Sequence, residues 1–404
     1  MKKQILLFAA TILLSATAFP QWTQKANFGG TARYGATGFS IGTKGYITTG
    51  IDASSIYNND LWEWDQPTNT WTQLTNFPGP GRRHAVAFTI GTKTYVGTGY
   101  DGTNYYKDFY VWDQISNTWT QIADFGGTAR YGAISFSING KGYVGTGKDA
   151  SAMKNDFWEY NPTADTLGGT PWTQKTNFGG TARTRAVAFS VGTKGYVGTG
   201  YNGTNYYKDF WEYNPTADTS GGAPWTQKTN FGGTARRSAV GFSMGTKGYI
   251  GTGYDGNNNN DFWGYDPTAD TLGGTPWTQK TNFGGSVRHC AIGFAIDTLC
   301  YIGTGIGASF MNDFWEYNLL DVYISEITDN SEIKIFPNPA TDIIEILTPL
   351  KEDIEILNIQ GQHIKSISTT GNKTSIDVSG LSNGMYFLKI NTNNGIVVKR
   401  FIKQ

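Results

Sequence analysis

The pattern with the most chemistry in this 404-residue chain is an arginine followed by a variable pair. Arg33, Arg82, Arg130, Arg183, Arg236 and Arg288 recur about every 50 residues, and the two positions after each one differ. They read Tyr34 and Gly35, Arg83 and His84, Tyr131 and Gly132, Thr184 and Arg185, Arg237 and Ser238, and His289 and Cys290. If equivalent elements bring these pairs together, three guanidinium groups, two imidazoles and two phenols share one rim. Guanidinium forks hold oxyanions through charge-assisted hydrogen bonds, and a few convergent polar groups fix a ligand's orientation. Tyr34, Arg83, His84, Tyr131, Arg185, Arg237 and His289 are therefore the candidate ligand-binding residues. The competing reading is a solvated polar rim.

The elements that must position these pairs also repeat. Trp-Thr-Gln recurs from Trp22, Trp71, Trp119, Trp172, Trp225 and Trp277. A period near 50 residues is that of propeller blades. Each unit has four short apolar or aromatic segments separated by Gly, Asn or Asp, the signature of strands joined by tight turns. The first follows the recurrent arginine, the second runs from a tyrosine into Gly-Thr-Gly, the third opens on an aspartate, and the fourth is Trp-Thr-Gln. In the first segment of the fourth unit, Ala186, Ala188 and Ser190 alternate with Val187, Phe189 and Val191. That pattern predicts an innermost strand buried on both faces. An indole repeated at one place in every unit reads as packing between blades, since burying it removes about 150–250 Å² from water. The recurrent arginine is expected to bond backbone, or the glutamate of four third segments (Glu63, Glu159, Glu212, Glu316), and so hold blade to blade. A second variable region lies between the second and third segments, as at 52–59, 101–107, 202–208 and 257–260, rich in tyrosine and asparagine. Those residue types suit a contact surface, and they are equally common in turns.

Other chemistry finds little support. The formal charge is zero, so no electrostatic argument favours nucleic acid or an anionic membrane. His84 and His289 fall in the second and sixth units with the first between them, and His363 lies outside the array, so no metal centre is expected. The Asn-Pro-Thr-Ala-Asp-Thr run at 214–219 lacks the oxygen density of a calcium loop and reads as an extended turn. No nucleophile–base signature or phosphate loop occurs, so no catalytic residue and no cofactor is assigned. If Phe294 faces Tyr301 across a turn at Asp297 and Thr298, Ala295 opposes Cys300. Cys290 then lies five residues further along, roughly 17 Å at the usual strand rise, and no disulfide is expected.

These motifs together resemble the kelch repeat, across residues 21–318. One departure is systematic: kelch strands usually end on a Gly-Gly pair, whereas here the sequence is Gly-Thr-Gly, or Thr-Thr-Gly in the first unit. The resemblance implies an all-β fold, a six-bladed kelch-type β-propeller over residues 19–318. The final unit lacks its Trp-Thr-Gln after Asn318, and the missing strand stands instead at Trp22, so the N-terminal strand is expected to close the ring. Kelch-like propellers include a sugar mutarotase and a copper oxidase. The expected function is accordingly a binding protein for a protein or glycan, with a mutarotase-like sugar enzyme as the alternative.

The two ends concern destination. Residues 1–18 carry two lysines, an apolar run and small residues, the layout of a secretory signal peptide. No later stretch reaches the about 20 apolar residues of a membrane span. Residues 319–332 read as a polar linker. Residues 333–404 hold about seven short strands and predict a small β-sandwich. Phe336, Pro337, Asn338 and Pro339 before Asp342, the 358–361 turn, the 377–381 and 384–388 segments and the basic end at 399–403 closely resemble the type IX secretion sorting domain. That resemblance implies the type IX machinery as a partner, a Bacteroidetes-type bacterium as source, and a secreted or outer-membrane surface location.

Overall fold

The structure is a computed structural model. It describes residues 21–166, 168–219, 221–318, 333–347, 353–358, 363–368, 372–392 and 395–404. The expected signal peptide at 1–18 and the linker at 319–332 lie outside the described residues. The chain divides into two compact units, residues 1–319 and 320–404.

In the first unit, among the described residues, six antiparallel sheets of four strands follow one another. The four segments pair in the order the sequence suggests. In the fourth unit, Val187–Val191 pairs with Lys194–Gly198, which pairs with Phe210–Tyr213, which pairs with Trp225–Lys228. The sheet containing Ile292–Ile296, Leu299–Gly303 and Phe314–Asn318 takes its outer strand from Trp22–Gln24, with Trp22 opposite Tyr317. The innermost strands pack side by side in sequence order, and Ile292–Ile296 packs against Thr37–Ile41. Phe294 opposes Tyr301, Ala295 opposes Cys300, and both cysteines are free and buried, as the register argument required.

Each tryptophan of Trp-Thr-Gln links units. Trp225 meets Phe157 of the preceding sheet edge to face at 5.1 Å, and its indole N–H donates to Thr176 O at 3.1 Å. Trp22 does the same with Phe262 and Thr281 O. Two expectations need correction. The innermost strands are buried on one face only: Val187 and Phe189 enter the core, while Ala188 and Ser190 line a central channel. The Asn-Pro-Thr-Ala-Asp-Thr runs are single helical turns, Pro162–Thr166, Pro215–Thr219 and Pro267–Thr271, rather than extended. Proline pre-sets the first helical φ, and the preceding Asn or Asp side chain accepts a backbone N–H, as Asp266 does from Thr268 and Ala269.

The recurrent arginine bonds backbone as expected, but its carboxylate partner and its role between units are corrected. Arg183 is fully buried, and its partner is Asp209 at the head of the third strand of its own sheet, not a glutamate. Nη1 and Nη2 reach the two carboxylate oxygens at 2.5 and 2.7 Å, Nη1 also donates to Thr199 O, and Nε donates to Thr181 O. The guanidinium lies over Phe178 and Tyr207. Arg33, Arg82, Arg130, Arg236 and Arg288 pair likewise with Asp60, Asp108, Asp156, Asp261 and Asp313. The glutamates serve elsewhere, Glu159 bonding Lys141 and Tyr143. Backbone, not side chain, joins neighbouring units here: Gly200 N–H donates to Arg236 O, and Gly305 N–H to Arg33 O.

In the second unit, Lys334–Phe336, Ile343–Leu347 and Lys373–Asp377 form one sheet, and His363–Ser368, Asp353–Leu357, Gly384–Thr392 and Gly395–Lys403 form another. Ile344, Ile346, Ile354, Ile356, Leu388 and Phe401 build its core.

Candidate functional site

The variable pairs meet at one end of the channel, and a ring of backbone bonds holds them. Gly35, His84, Gly132, Arg185, Ser238 and Cys290 all adopt left-handed φ, between 53 and 62°. Each N–H donates to the equivalent carbonyl of the previous unit: Gly35 to Cys290, His84 to Gly35, Gly132 to His84, Arg185 to Gly132, Ser238 to Arg185 and Cys290 to Ser238, over 2.7–3.0 Å. Four of the six are not glycine, and left-handed backbone costs such residues energy. The circuit of hydrogen bonds offsets that cost and fixes where each side chain starts.

Inside this ring is a cavity of about 180 Å³, lined by the six residues just named and the alanine that follows each of them. His84 and Arg185 are the large polar side chains in its wall. Glycine at the adjoining positions gives them room: a Cβ on Gly35 would lie 2.9 Å from the His84 ring, and one on Gly132 only 2.4 Å from Thr184 Oγ1 and 3.1 Å from Arg185 Cγ.

Around the cavity the other candidates form a collar of rings and cations. The Tyr34 ring lies 6.2 Å from His84, and Tyr131 lies 5.9 Å from its other side. Arg83 stacks on Tyr34, Tyr57 and Tyr100 and donates to the Tyr34 hydroxyl. Arg185 lies over Tyr131 at 5.4 Å. Arg237 is held among Tyr201, Tyr206 and Tyr254 at 4.8–5.8 Å. His289 packs on Tyr254, and its Nδ1 contacts Asn258 Oδ1 at 2.6 Å. All seven sequence candidates thus share one mouth, with His84 and Arg185 in the cavity wall and the other five in the collar. Thr184 is different: it is buried and bonds the Gly132 carbonyl, so it belongs to the frame.

The loops between second and third strands, read from sequence as a separate region, supply part of the same collar. Tyr105 bridges back to Tyr100, and Tyr206 to Tyr201. Sequence reasoning did not single out Tyr100, Tyr201 and Tyr254. The signal was there: each directly follows Gly-Thr-Gly, where the other units have Ile51, Lys148 and Ile306.

The electrostatics of the mouth are one-sided. Burial, then Arg185, Arg83, His289 and Arg237, hold the His84 imidazole well below its usual range. Burial, Arg185 and Arg237 push His289 down to about 4. Both rings are therefore neutral at physiological pH. Arg83, Arg185 and Arg237 have no carboxylate within 4 Å among the described residues, and neither Arg185 nor Arg237 donates a side-chain hydrogen bond to one. The Nε atoms of Arg83, Arg185 and Arg237, His84 Nε2 and Ser238 Oγ are buried without a hydrogen-bond partner. Among the described residues no group of three His, Cys, Asp or Glu could hold a metal ion.

Comparison with known proteins agrees with this architecture. A Kelch motif model matches residues 81–126, and a secretion system C-terminal sorting domain model matches residues 334–404. A solved structure described as "Structure of YjhT" superposes with a TM-score of 0.60 at 14% identity, covering 74% of this chain and 98% of the other. At that identity the likeness shows the fold alone. No curated protein matches the chain. No helix among the described residues is long and apolar enough to cross a membrane.

Proposed function

We propose that this chain, a kelch-type propeller carrying a type IX sorting domain that directs it to the cell surface or extracellular space, is a binding protein whose ligand, a protein or glycan, seats at the channel mouth. The observation that carries this reading is the set of three tyrosine-framed arginines without acidic partners. Evolution of a merely solvated rim would not require buried, unpaired guanidinium nitrogens, because an orphaned buried donor costs about 1–3 kcal/mol.

A sugar enzyme of mutarotase type is the second reading, and one observation favours it. His84 presents a buried, neutral and unpartnered Nε2 to the cavity, a group able to take a proton. Glu63 and Glu159 are unsuited to that role, since both are engaged by lysine and tyrosine. The exported protein would be screened against immobilised glycans and extracellular proteins, then against free reducing sugars by NMR. Saturable binding that Arg185→Ala and Arg237→Ala abolish, without change in anomer exchange, supports the binding protein. Acceleration of anomer exchange, lost in His84→Gln, would replace it with the enzyme.

A further inference from the structure

Two kinds of arginine occur in this fold, and the contrast between them identifies the ligand's chemistry. The six recurrent arginines are saturated by a bidentate aspartate, a threonine carbonyl and a further backbone oxygen. The three at the mouth have tyrosine faces for neighbours and buried Nε–H groups with no acceptor. A buried N–H donor without an acceptor is unfavourable unless something supplies one. One acidic group whose charge reaches the mouth is not available to do so. Asp101, which acts on the same Tyr57 as Arg83, is committed to the N–H groups of Thr103 and Asn104 and the Tyr106 hydroxyl. What is missing from the mouth is therefore an acceptor that is also negative.

Shape narrows the choice. About 180 Å³ is well below the ~300–1,000 Å³ of pockets for drug-sized ligands, so the cavity takes one terminal group rather than an extended chain. A peptide strand cannot add to the wall either, because the backbone N–H groups of the ring are spent on each other. The Tyr34 and Tyr131 rings, 6.2 and 5.9 Å from that of His84, give the mouth an aromatic wall of the kind a sugar ring can stand against.

We infer that the ligand is a saccharide ending in an oxyanion, a uronate carboxylate or a sulfate ester, with the anionic group against Arg185, His84 and Ser238 and the sugar ring within the tyrosine collar. This rests on the mouth being the binding site. Arg185 supplies the charge, His84 and Ser238 supply hydrogen bonds from below, and Arg83 and Arg237 set the potential of the approach. The uncharged units, with Gly35 and Gly132, leave the two gaps into which His84 and Arg185 fold.

The test is calorimetric titration of the full exported chain with four ligands: a trigalacturonate, its methyl ester, a sulfated disaccharide and its desulfated form. Binding of trigalacturonate, of the sulfated disaccharide or of both, at least tenfold tighter than the neutral counterpart, is the expected result, and the tighter of the two assigns carboxylate or sulfate. Arg185→Ala should weaken it tenfold or more, and Arg185→Lys should restore part of the loss. Circular dichroism of each variant reports folding separately, and Ser238→Ala provides a milder probe of the same cavity. Equal binding of acidic and neutral forms overturns the oxyanion while leaving the mouth as a binding site. Acidic binding untouched by Arg185→Ala and Ser238→Ala overturns both. No binding to either acidic saccharide, or capture of an acidic protein alone, overturns the saccharide.

Discussion

Arg183 shows how much of this fold hangs on one buried ion pair per unit. Arg183→Ala removes four hydrogen bonds and two aromatic contacts and leaves Asp209 without its cation. Breaking a buried pair costs about 3–5 kcal/mol, and the lower end applies because the Asp209 side chain keeps 21% exposure and can rehydrate. A urea-unfolding loss below about 1 kcal/mol would show that the pair is dispensable. The aspartate partner was legible in the sequence, because all six third segments open on Asp whereas only four contain Glu. A residue-level pH effect follows from the histidines. Their folded-state pKa values are depressed, so below the unfolded value near 6.5 the unfolded chain binds more protons and stability falls as pH drops. For His289 the window runs from about 6.5 to about 4. The charged groups Arg83, Arg185 and Arg237 and the titratable His289 face His84. Aspartates held low, such as Asp156 and Asp313, lose their contribution only below about 3.8. His84→Gln and His289→Gln should therefore flatten the decline in melting temperature between pH 6.5 and 4.5. An unaltered pH profile in both variants would refute the assignment.

At the scale of elements, the three-residue strand Trp22–Gln24 carries far more than its length suggests. It hydrogen-bonds along Phe314–Asn318, and the chain after it continues the attachment, with Lys25 N–H on Phe314 O and Phe28 N–H on Asn312 O. Trp22 meets Phe262, Phe283 and Tyr317 within 5.2 Å. Without it, the strand Phe314–Asn318 would be an exposed edge and three aromatic faces would meet water. Deleting residues 19–28 should abolish the cooperative unfolding of the array, and Trp22→Ala alone should cost about 3–5 kcal/mol. An unchanged melting temperature after the deletion would reject closure by this strand. The role was readable because Trp-Thr-Gln precedes the first repeat and is missing from the last. The collar was harder to read. His84 occupies space that Gly35 leaves empty, and Arg237 stacks on Tyr201 of the previous unit, so the site is made by pairs of units. A one-dimensional comparison of repeats lines up equivalent positions and hides such neighbours. The short helices were misread for a related reason: five residues show no helical period, and their signal is only a cap and a proline.

The whole molecule is two units with separate cores. Every residue of the second unit's buried cluster lies at or beyond Ile333, and every cluster of the first unit ends by Tyr317. Each cluster is built from its own unit's residues, so removing one unit should leave the other's core, and hence its stability, nearly intact. The sorting domain, by contrast, is what directs export by the type IX system. Deleting residues 333–404 separates the two properties. The array should still unfold cooperatively, with a melting temperature shifted by no more than about 2 °C, a shift equivalent to about 1 kcal/mol for a domain of this size. The truncated protein should accumulate in the periplasm, measured by cell fractionation and by protease access to intact cells. Surface display at the normal level would show that the address lies elsewhere in the chain. A collapse of the array would show that the cores are coupled. Periplasmic protein that folds and still binds its ligand would establish that recognition resides in the first unit and that the tail determines only where that recognition takes place.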